Sequence, residues 1–269
     1  MGKERLEKTL QQKQEGNRPL FIPYIMAGDG GLDRLNERIQ RLEEAGAAAI
    51  ELGIPFSDPV ADGPTIQEAG IRALKNGISL KKILDVLEET KKERTIPIIL
   101  MTYMNPIYAF GIKTFARAGK EAGVDGVILP DLPLEEENII AHDLQANDIA
   151  HIRLASLTSP EDRLKEIAKR SEGFLYAVAV TGTTGAREAN EAGVHDYLQT
   201  LKKHSNVPVL AGFGVSTAKQ ARELSTSCDG VIVGSKIVDL LHREETEYIK
   251  QVIQETCQPL HKEEKPLPH

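Results

Sequence analysis

Residues 50–67 organise our interpretation of this chain, and they read Ile50-Glu-Leu-Gly-Ile-Pro-Phe-Ser-Asp-Pro-Val-Ala-Asp-Gly-Pro-Thr-Ile-Gln67. The run 48–54 is apolar, as is typical of a buried parallel strand, yet it carries Glu51. An ionised carboxylate is costly to remove from water unless it is paired or used in chemistry. The part that follows, 55–64, contains three prolines and one glycine and therefore predicts a shaped loop.

Two further carboxylates, Asp58 and Asp62, lie in this predicted loop. Glu51 at the carboxyl end of a strand and Asp62 in the next loop can face one cavity, which is how proton-transfer enzymes pair an acid with a base. The alternative is structural, with a lysine or arginine neutralising Glu51 and both aspartates capping turns. The proline after Asp58 favours a turn there. These residues alone leave both interpretations open.

The composition limits the class of protein. The chain has 269 residues and a net charge of −7, a length that suits one α/β barrel or two small domains. An acidic balance without basic runs argues against nucleic acid or an anionic membrane as a partner. With no long apolar segment, a cytoplasmic location is expected. Cys228 and Cys257 lack metal-type spacing, and neither a metal nor another cofactor is expected.

Strand-like and helix-like patterns alternate along the chain, and this alternation predicts the fold. Each strand-like run is followed by a helical pattern, which implies a parallel sheet covered by helices. Eight such units without a linker predict a single (β/α)₈ TIM barrel domain over residues 1–260, with a short N-terminal helix and a flexible tail at 261–269. An open doubly wound sheet is the alternative. The eight runs are 21–27, 48–54, 97–103, 124–129, 149–155, 174–180, 208–211 and 230–233.

Glycine-bearing segments follow the last three predicted strands, at 181–185, 212–214 and 234–235. Glycine lets backbone N–H groups approach an anion, and TIM barrels commonly bind phosphate at these loops. None of the segments is a Walker loop, and 212–214 lacks the third glycine of a dinucleotide fingerprint. The pattern therefore predicts a small phosphorylated substrate. Residues 181–193 suit a mobile lid or, equally, a disordered surface loop.

Other residues narrow the chemistry. No lysine lies within a predicted strand, which argues against a Schiff-base aldolase. A metal aldolase needs several histidines or carboxylates at the ends of its strands, and only Glu51 and Asp131 lie at such positions. Acid–base catalysis by carboxylates is the chemistry that remains. Asp131, between prolines, suits loop shaping or an interface as well as catalysis. Tyr24, Tyr103 and Tyr176 are expected to be core aromatics, with pocket lining as the alternative.

The segment 51–67 closely resembles the signature of the tryptophan synthase alpha chain family. Further motifs follow in the family's order, including Leu-Pro-Asp-Leu-Pro at 129–133, Thr-Gly-Thr-Thr-Gly-Ala-Arg at 181–187 and Gly-Phe-Gly-Val-Ser at 212–216. The resemblance spans about residues 15–255. It implies a barrel that cleaves indole-3-glycerol phosphate to indole and glyceraldehyde 3-phosphate by a retro-aldol reaction, without a metal or Schiff base. It also implies a beta chain, a pyridoxal-phosphate enzyme that receives the indole in an alpha2beta2 hetero-tetramer for tryptophan biosynthesis.

The resemblance also implies a role for individual residues. Glu51 matches the acid–base residue and Asp62 the carboxylate that contacts the indole N–H. Substrate contacts are expected at Tyr24, Met101 and Tyr176 around the indole and at Thr184, Gly185, Gly214, Gly234 and Ser235 around the phosphate. Contacts with the beta chain are expected at Pro55, Asp58, Pro59 and Asp131. Two departures are Gly30, where a proline is common, and Val180, where some relatives have a basic residue.

Two other functions remain open on the sequence. The chain is alternatively a binding subunit that activates its partner and has little activity alone. A third interpretation is another phosphate-binding barrel, such as an isomerase or an indole-glycerol-phosphate synthase. Each would show a different response in an assay of indole release with and without a beta chain.

Overall fold

Eight parallel strands close into a barrel in the computed structural model, which describes residues 2–178 and 191–260. Each strand pairs with its neighbours in the chain, and β1 pairs with β8 to complete the ring. The predicted (β/α)₈ barrel is therefore confirmed over the open-sheet alternative. The strands are Leu20–Met26 (β1), Ile50–Gly53 (β2), Ile98–Met101 (β3), Gly126–Ile128 (β4), Ala150–Ser156 (β5), Leu175–Val178 (β6), Val209–Gly212 (β7) and Gly230–Val233 (β8).

Helices connect the strands and surround them. Those in the described part of the chain are Lys3–Gln14 (α1), Leu35–Ala45 (α2), Pro64–Lys75 (α3), Leu80–Glu89 (α4), Met104–Phe110 (α5), Ile112–Glu121 (α6), Asn138–Ala146 (α7), Glu161–Arg170 (α8), Glu191–His204 (α9), Ala218–Leu224 (α10), Ser235–His242 (α11) and Thr246–Thr256 (α12). The sequence patterns did not predict α5. None of these helices has the length and apolar character needed to cross a membrane.

Side chains alternate between two cores along each strand, because successive residues of a strand point to opposite faces. On β2, Ile50 and Leu52 are fully buried and pack in the outer core against the helices. The helices contribute apolar residues at helical spacing, as Leu35, Ile39 and Leu42 do on α2. This outer layer explains why the strands read as continuous apolar runs.

Inward-facing side chains fill the barrel, and α1 closes its amino-terminal end. Leu6 and Leu10 of α1 are fully buried and belong to the same cluster as Leu20, Ile99 and Phe174. The predicted short N-terminal helix is thus confirmed, and it lies over the amino-terminal end of the barrel. The amino-terminal end of the barrel is a packed core, whereas the active sites of TIM barrels lie at the opposite end, where the strands end.

A buried carboxylate anchors α1 at this closed end. Asp125, fully buried before β4, accepts hydrogen bonds from the backbone N–H groups of Gly2 (2.7 Å) and Ile98 (2.9 Å). The guanidinium of Arg5 also pairs with it, with Nε at 2.9 Å. A buried charge with this many donors is well compensated, so Asp125 ties the helix to the strands.

Candidate active site

Glu51 lies inside the barrel on β2, two residues before the end of the strand. Parallel pairing aligns it with Tyr24 of β1 and Ile99 of β3. Its side chain is only 1% exposed, and neither carboxylate oxygen has a hydrogen-bond partner among the described residues. Burial raises its pKa to about 8, and the charge of Asp62 adds to this shift. Among the described residues no lysine or arginine pairs with Glu51, and the raised pKa keeps its carboxyl group protonated at neutral pH.

Asp62 lies in the loop after β2, near enough to Glu51 for its charge to raise the pKa of that residue. The loop holds its backbone: its N–H donates to the carbonyl of Pro59 (3.0 Å), and its carbonyl accepts from the side chain of Gln67 (2.9 Å). Burial raises the pKa of Asp62 to about 6, against the opposing hydrogen bond of Tyr103. Since this pKa lies below that of Glu51, Asp62 is ionised and Glu51 is protonated at a pH between the two values. When the surroundings of two carboxyl groups set their pKa values apart, one group can act as an acid while the other is an anion.

Tyr24 and Tyr176 flank Glu51 from β1 and β6. Burial and the charges of the two carboxylates raise the pKa of both phenols well above the ordinary value. Two glycines make room for the rings: a Cβ on Gly53 would lie 1.9 Å from the hydroxyl of Tyr24, and one on Gly212 would lie 2.4 Å from Cε2 of Tyr176. The structure therefore places both tyrosines beside the carboxylates, with their rings packed against buried apolar residues, and pocket lining stays a prediction.

Met101 lies beside the same group at the end of β3. It aligns with Gly53 across the sheet, is half-buried, and packs against both the barrel interior and the cluster that contains Tyr24. Its thioether is a flexible apolar surface suited to an aromatic ligand. Met101 therefore lies beside Tyr24, and its contact with an indole ring stays a prediction.

Tyr103 is a site residue whose role the sequence did not reveal. It is 3% exposed and its hydroxyl accepts the N–H of Ala61 at 3.0 Å. Its ring packs against Phe56, with centroids 5.2 Å apart. The sequence placed Tyr103 at the end of strand three, but only the folded loop shows that it reaches Asp62.

The predicted phosphate-binding residues lie on the neighbouring side of the barrel mouth. Gly214, exposed after β7, has a φ of +67°, which favours glycine. Gly234 precedes α11 and Ser235 is its first residue, so the first N–H groups of that helix, which have no partner within it, face this corner. A Cβ on Gly234 would lie 3.7 Å from Cβ of Tyr24, which places this corner next to the carboxylate site. Thr184, Gly185 and the rest of the predicted lid up to residue 190 lie outside the described residues, as does the tail 261–269.

The predicted partner-facing residues differ in exposure. Pro55 is buried within this chain and therefore offers little of its own surface to a partner. Asp58 is exposed and accepts the hydroxyl of Ser57 at 2.6 Å, whereas Pro59 is half-buried. The exposed Asp131 accepts the N–H of Met104 at 3.0 Å and so caps α5. Asp131 has the predicted loop-shaping role, and the exposed Asp58 and Asp131 remain available to a partner.

Comparisons with known proteins show which family this chain resembles. A family model described as tryptophan synthase alpha chain matches residues 10–265. The tryptophan synthase alpha chain of Oceanobacillus iheyensis is 59% identical over 256 residues, which cover 95% of this chain and 98% of that protein. The alpha subunit structure from Legionella pneumophila superposes with a TM-score of 0.85 at 32% identity, covering 95% of this chain and 97% of that one. A tryptophan synthase structure from Mycobacterium tuberculosis gives 0.86 at 31% identity, covering 96% and 99%.

Proposed function

The chain belongs to the tryptophan synthase alpha chain family, which cleaves indole-3-glycerol phosphate to indole for a beta chain in tryptophan biosynthesis, and we propose that Glu51 and Asp62 carry this reaction here. The observation that carries the proposal is the pair of carboxylates at the barrel mouth, one buried without a partner and one in the loop beside it. The resemblance seen in the sequence is thus confirmed at the level of the family.

Glu51 is the proton donor and acceptor. In its protonated form it gives a proton to C3 of the indole ring, which makes the ring an electron sink. As a carboxylate it then takes the proton of the hydroxyl on the carbon bonded to C3. The C3–carbon bond breaks, its electrons restore the indole, and the other fragment leaves as an aldehyde. The proton gained at C3 equals the proton lost from the hydroxyl, so no other acid is needed. Such general acid–base catalysis contributes roughly two to four powers of ten in rate.

Asp62 stabilises the positive charge that protonation creates. With a pKa near 6 it is an anion at neutral pH, and its loop position lets it accept the indole N–H. A fixed negative charge in a partly buried site interacts strongly with a developing cation. The stabilisation is larger in the transition state than in the substrate, which is what raises kcat.

The rest of the mouth binds the substrate. Tyr24, Met101 and Tyr176 provide an apolar lining for the indole ring, and Gly214, Gly234 and Ser235 provide the anion-binding corner for the phosphate. We extend the corner to Thr184 and Gly185, which carry the family's motif in the sequence. Anchoring the phosphate fixes the distance from the glycerol hydroxyl to Glu51, and such positioning is a large part of catalysis.

The chain assembles with a beta chain in an alpha2beta2 complex, and we propose that it does so through the loop that carries Asp62. Asp58, Val60 and Pro59 lie on this loop, and Val60 is 85% exposed although it is apolar. An exposed apolar side chain beside a charged one suits a surface covered by a partner. We place the complex in the cytoplasm, where the two unpaired thiols of Cys228 and Cys257 stay reduced.

The test is indole release from indole-3-glycerol phosphate by the Glu51→Gln variant, with and without a beta chain. Glutamine keeps the size of the side chain but cannot cycle a proton, so turnover should fall by at least a hundredfold. Glu68→Gln, on the exposed face of α3, is the matched control and should turn over normally. Near-normal turnover by Glu51→Gln would contradict the proposed role. If the unaltered chain releases indole only with the beta chain, it acts mainly as the activating subunit.

A further inference from the structure

Tyr103 connects the end of β3 to the loop that carries Asp62. The phenol oxygen receives the N–H of Ala61, the residue before Asp62, at 3.0 Å. This bond uses a lone pair of the oxygen and leaves the hydroxyl proton free to be donated elsewhere. The Asp62 carboxylate follows Ala61 directly on the same loop, and it lies close enough for the hydroxyl to lower its pKa.

The ring of Tyr103 is held from two sides, so the hydroxyl has a fixed position. Phe56, on the same loop as Asp62, packs against the ring with an interplanar angle of 33°. The backbone that follows is fixed by Asp131, whose carboxylate accepts the N–H of Met104 at 3.0 and 3.1 Å. A donor that is already oriented loses little entropy when it forms its bond.

We propose that Tyr103 is a positioning residue for Asp62: its hydroxyl, fixed by the Ala61 amide, donates its proton to the Asp62 carboxylate and holds that group towards the bound indole ring. This inference rests on the proposed role of Asp62. It explains the hydrogen bond between this loop and Tyr103 at the end of β3. A carboxylate on an otherwise exposed loop needs a rigid support to meet an indole ring in the right geometry.

The experiment is Tyr103→Phe, assayed for indole release at saturating beta chain. Phenylalanine keeps the contact with Phe56 and removes only the hydroxyl. Losing one hydrogen bond to a charged group should lower kcat about tenfold. KM should change less, because the bond acts through the charge on Asp62 that matters in the transition state. Tyr248→Phe removes the same hydroxyl from a partly exposed tyrosine of α12 and should leave kcat unchanged.

The pH profile separates positioning from a merely structural role. Without the donor, the pKa of Asp62 rises above its value of about 6, so the acidic limb of kcat/KM should move to higher pH. An unmoved limb would overturn the inference. The denaturation midpoint of the variant shows whether it is folded.

A second background distinguishes this inference from the proposed function. On an Asp62→Asn background, Tyr103→Phe should cause no further loss of kcat, since the group it positions is gone. An equal tenfold loss there would overturn the inference, because Tyr103 would then act on something else. If Asp62→Asn alone turns over normally, the proposed role of Asp62 fails. If Asp62→Asn is slow while Tyr103→Phe is normal, only the role of Tyr103 fails.

Discussion

Replacing Glu51 by glutamine should stabilise the fold at neutral pH while it removes activity. In the folded chain burial raises the pKa of Glu51 from an ordinary value of 4.5 to about 8. The folded state therefore binds this proton more tightly than the unfolded state does. The resulting stability is fully present below pH 4.5 and is lost as the pH rises towards 8. Glutamine stays neutral at every pH and has no such dependence.

The magnitude follows from the size of the shift. One pKa unit corresponds to about 1.4 kcal/mol, so between pH 5 and pH 7 the unaltered chain should lose about 2–3 kcal/mol relative to Glu51→Gln. Asp62 also titrates in this range, but it does so while Glu51 is still neutral, so its contribution is similar in both proteins. The difference between the two proteins thus isolates Glu51.

The measurement is chemical denaturation of both proteins at pH 5, 6, 7 and 8, with the free energy of unfolding compared at each pH. The gap should open steadily in favour of the variant. Glu68→Gln, exposed on α3, should show no gap at any pH. A constant difference between Glu51→Gln and the unaltered chain across the series would refute a buried, neutral Glu51, and with it the assignment of that residue as the proton donor.

Three further predictions concern the same fold. The kcat/KM profile should be bell-shaped with limbs near pH 6 and pH 8, since one carboxylate must be ionised and the other protonated; a flat profile over this range would contradict it. Gly53→Ala should lower kcat at least tenfold in a folded protein, because the new Cβ displaces the Tyr24 hydroxyl. Gly63→Ala is the control and should leave kcat unchanged, because a Cβ there meets no atom within 4 Å. Asp125→Ala should lower the free energy of unfolding by about 3–5 kcal/mol, because Arg5 and two N–H groups lose their acceptor. Urea denaturation measures this loss, and Asp85→Ala, which removes one member of an exposed ion pair, is the control. An equal loss in both variants would contradict the prediction.

The fold was predictable because the patterns that specify it are local. Alternating apolar runs and helical spacing recur eight times, and each structural strand lies within or next to its predicted run. The exception is α5, whose sequence Met-Asn-Pro-Ile-Tyr-Ala-Phe at 104–110 lacks a helical pattern of polar and apolar residues. Its first N–H is capped by Asp131, 27 residues away, and tertiary capping of this kind cannot be read from local propensity.

The site was predictable only in part. Glu51 could be recognised because a charge in an apolar run is unusual, but only the fold shows that it has no hydrogen-bond partner among the described residues. The close approach of the Tyr24 hydroxyl to Gly53 depends on the register between β1 and β2, which aligns Tyr24 with Glu51 and cannot be read from the sequence. Likewise, nothing in the sequence distinguishes the buried Pro55 from the half-buried Pro59 four residues later.

The departure at Gly30 has a structural explanation. Its φ is +82°, a left-handed value, and a Cβ there would lie 2.7 Å from Nη2 of Arg38. Proline has a φ fixed near −65°, so a relative with proline at this position must turn differently after β1. The loop nevertheless keeps a firm attachment, because Asp29 next to Gly30 is buried and binds Arg72 of α3 through two hydrogen bonds of 2.7 and 2.8 Å.

Depth along β2 determines what each inward-facing residue can do. Ala49 lies in the dry interior, where a carboxylate would be enclosed on all sides and could not reach a substrate. Gly53, at the end of the strand, has no room for a side chain, because the hydroxyl of Tyr24 occupies that space. Only the position between them is both buried enough to keep a carboxyl group neutral near pH 7 and close enough to the mouth to touch a ligand. A carboxylate at Ala49 or at Gly53 instead of Glu51 would therefore not act as the proton donor, even in an unchanged barrel.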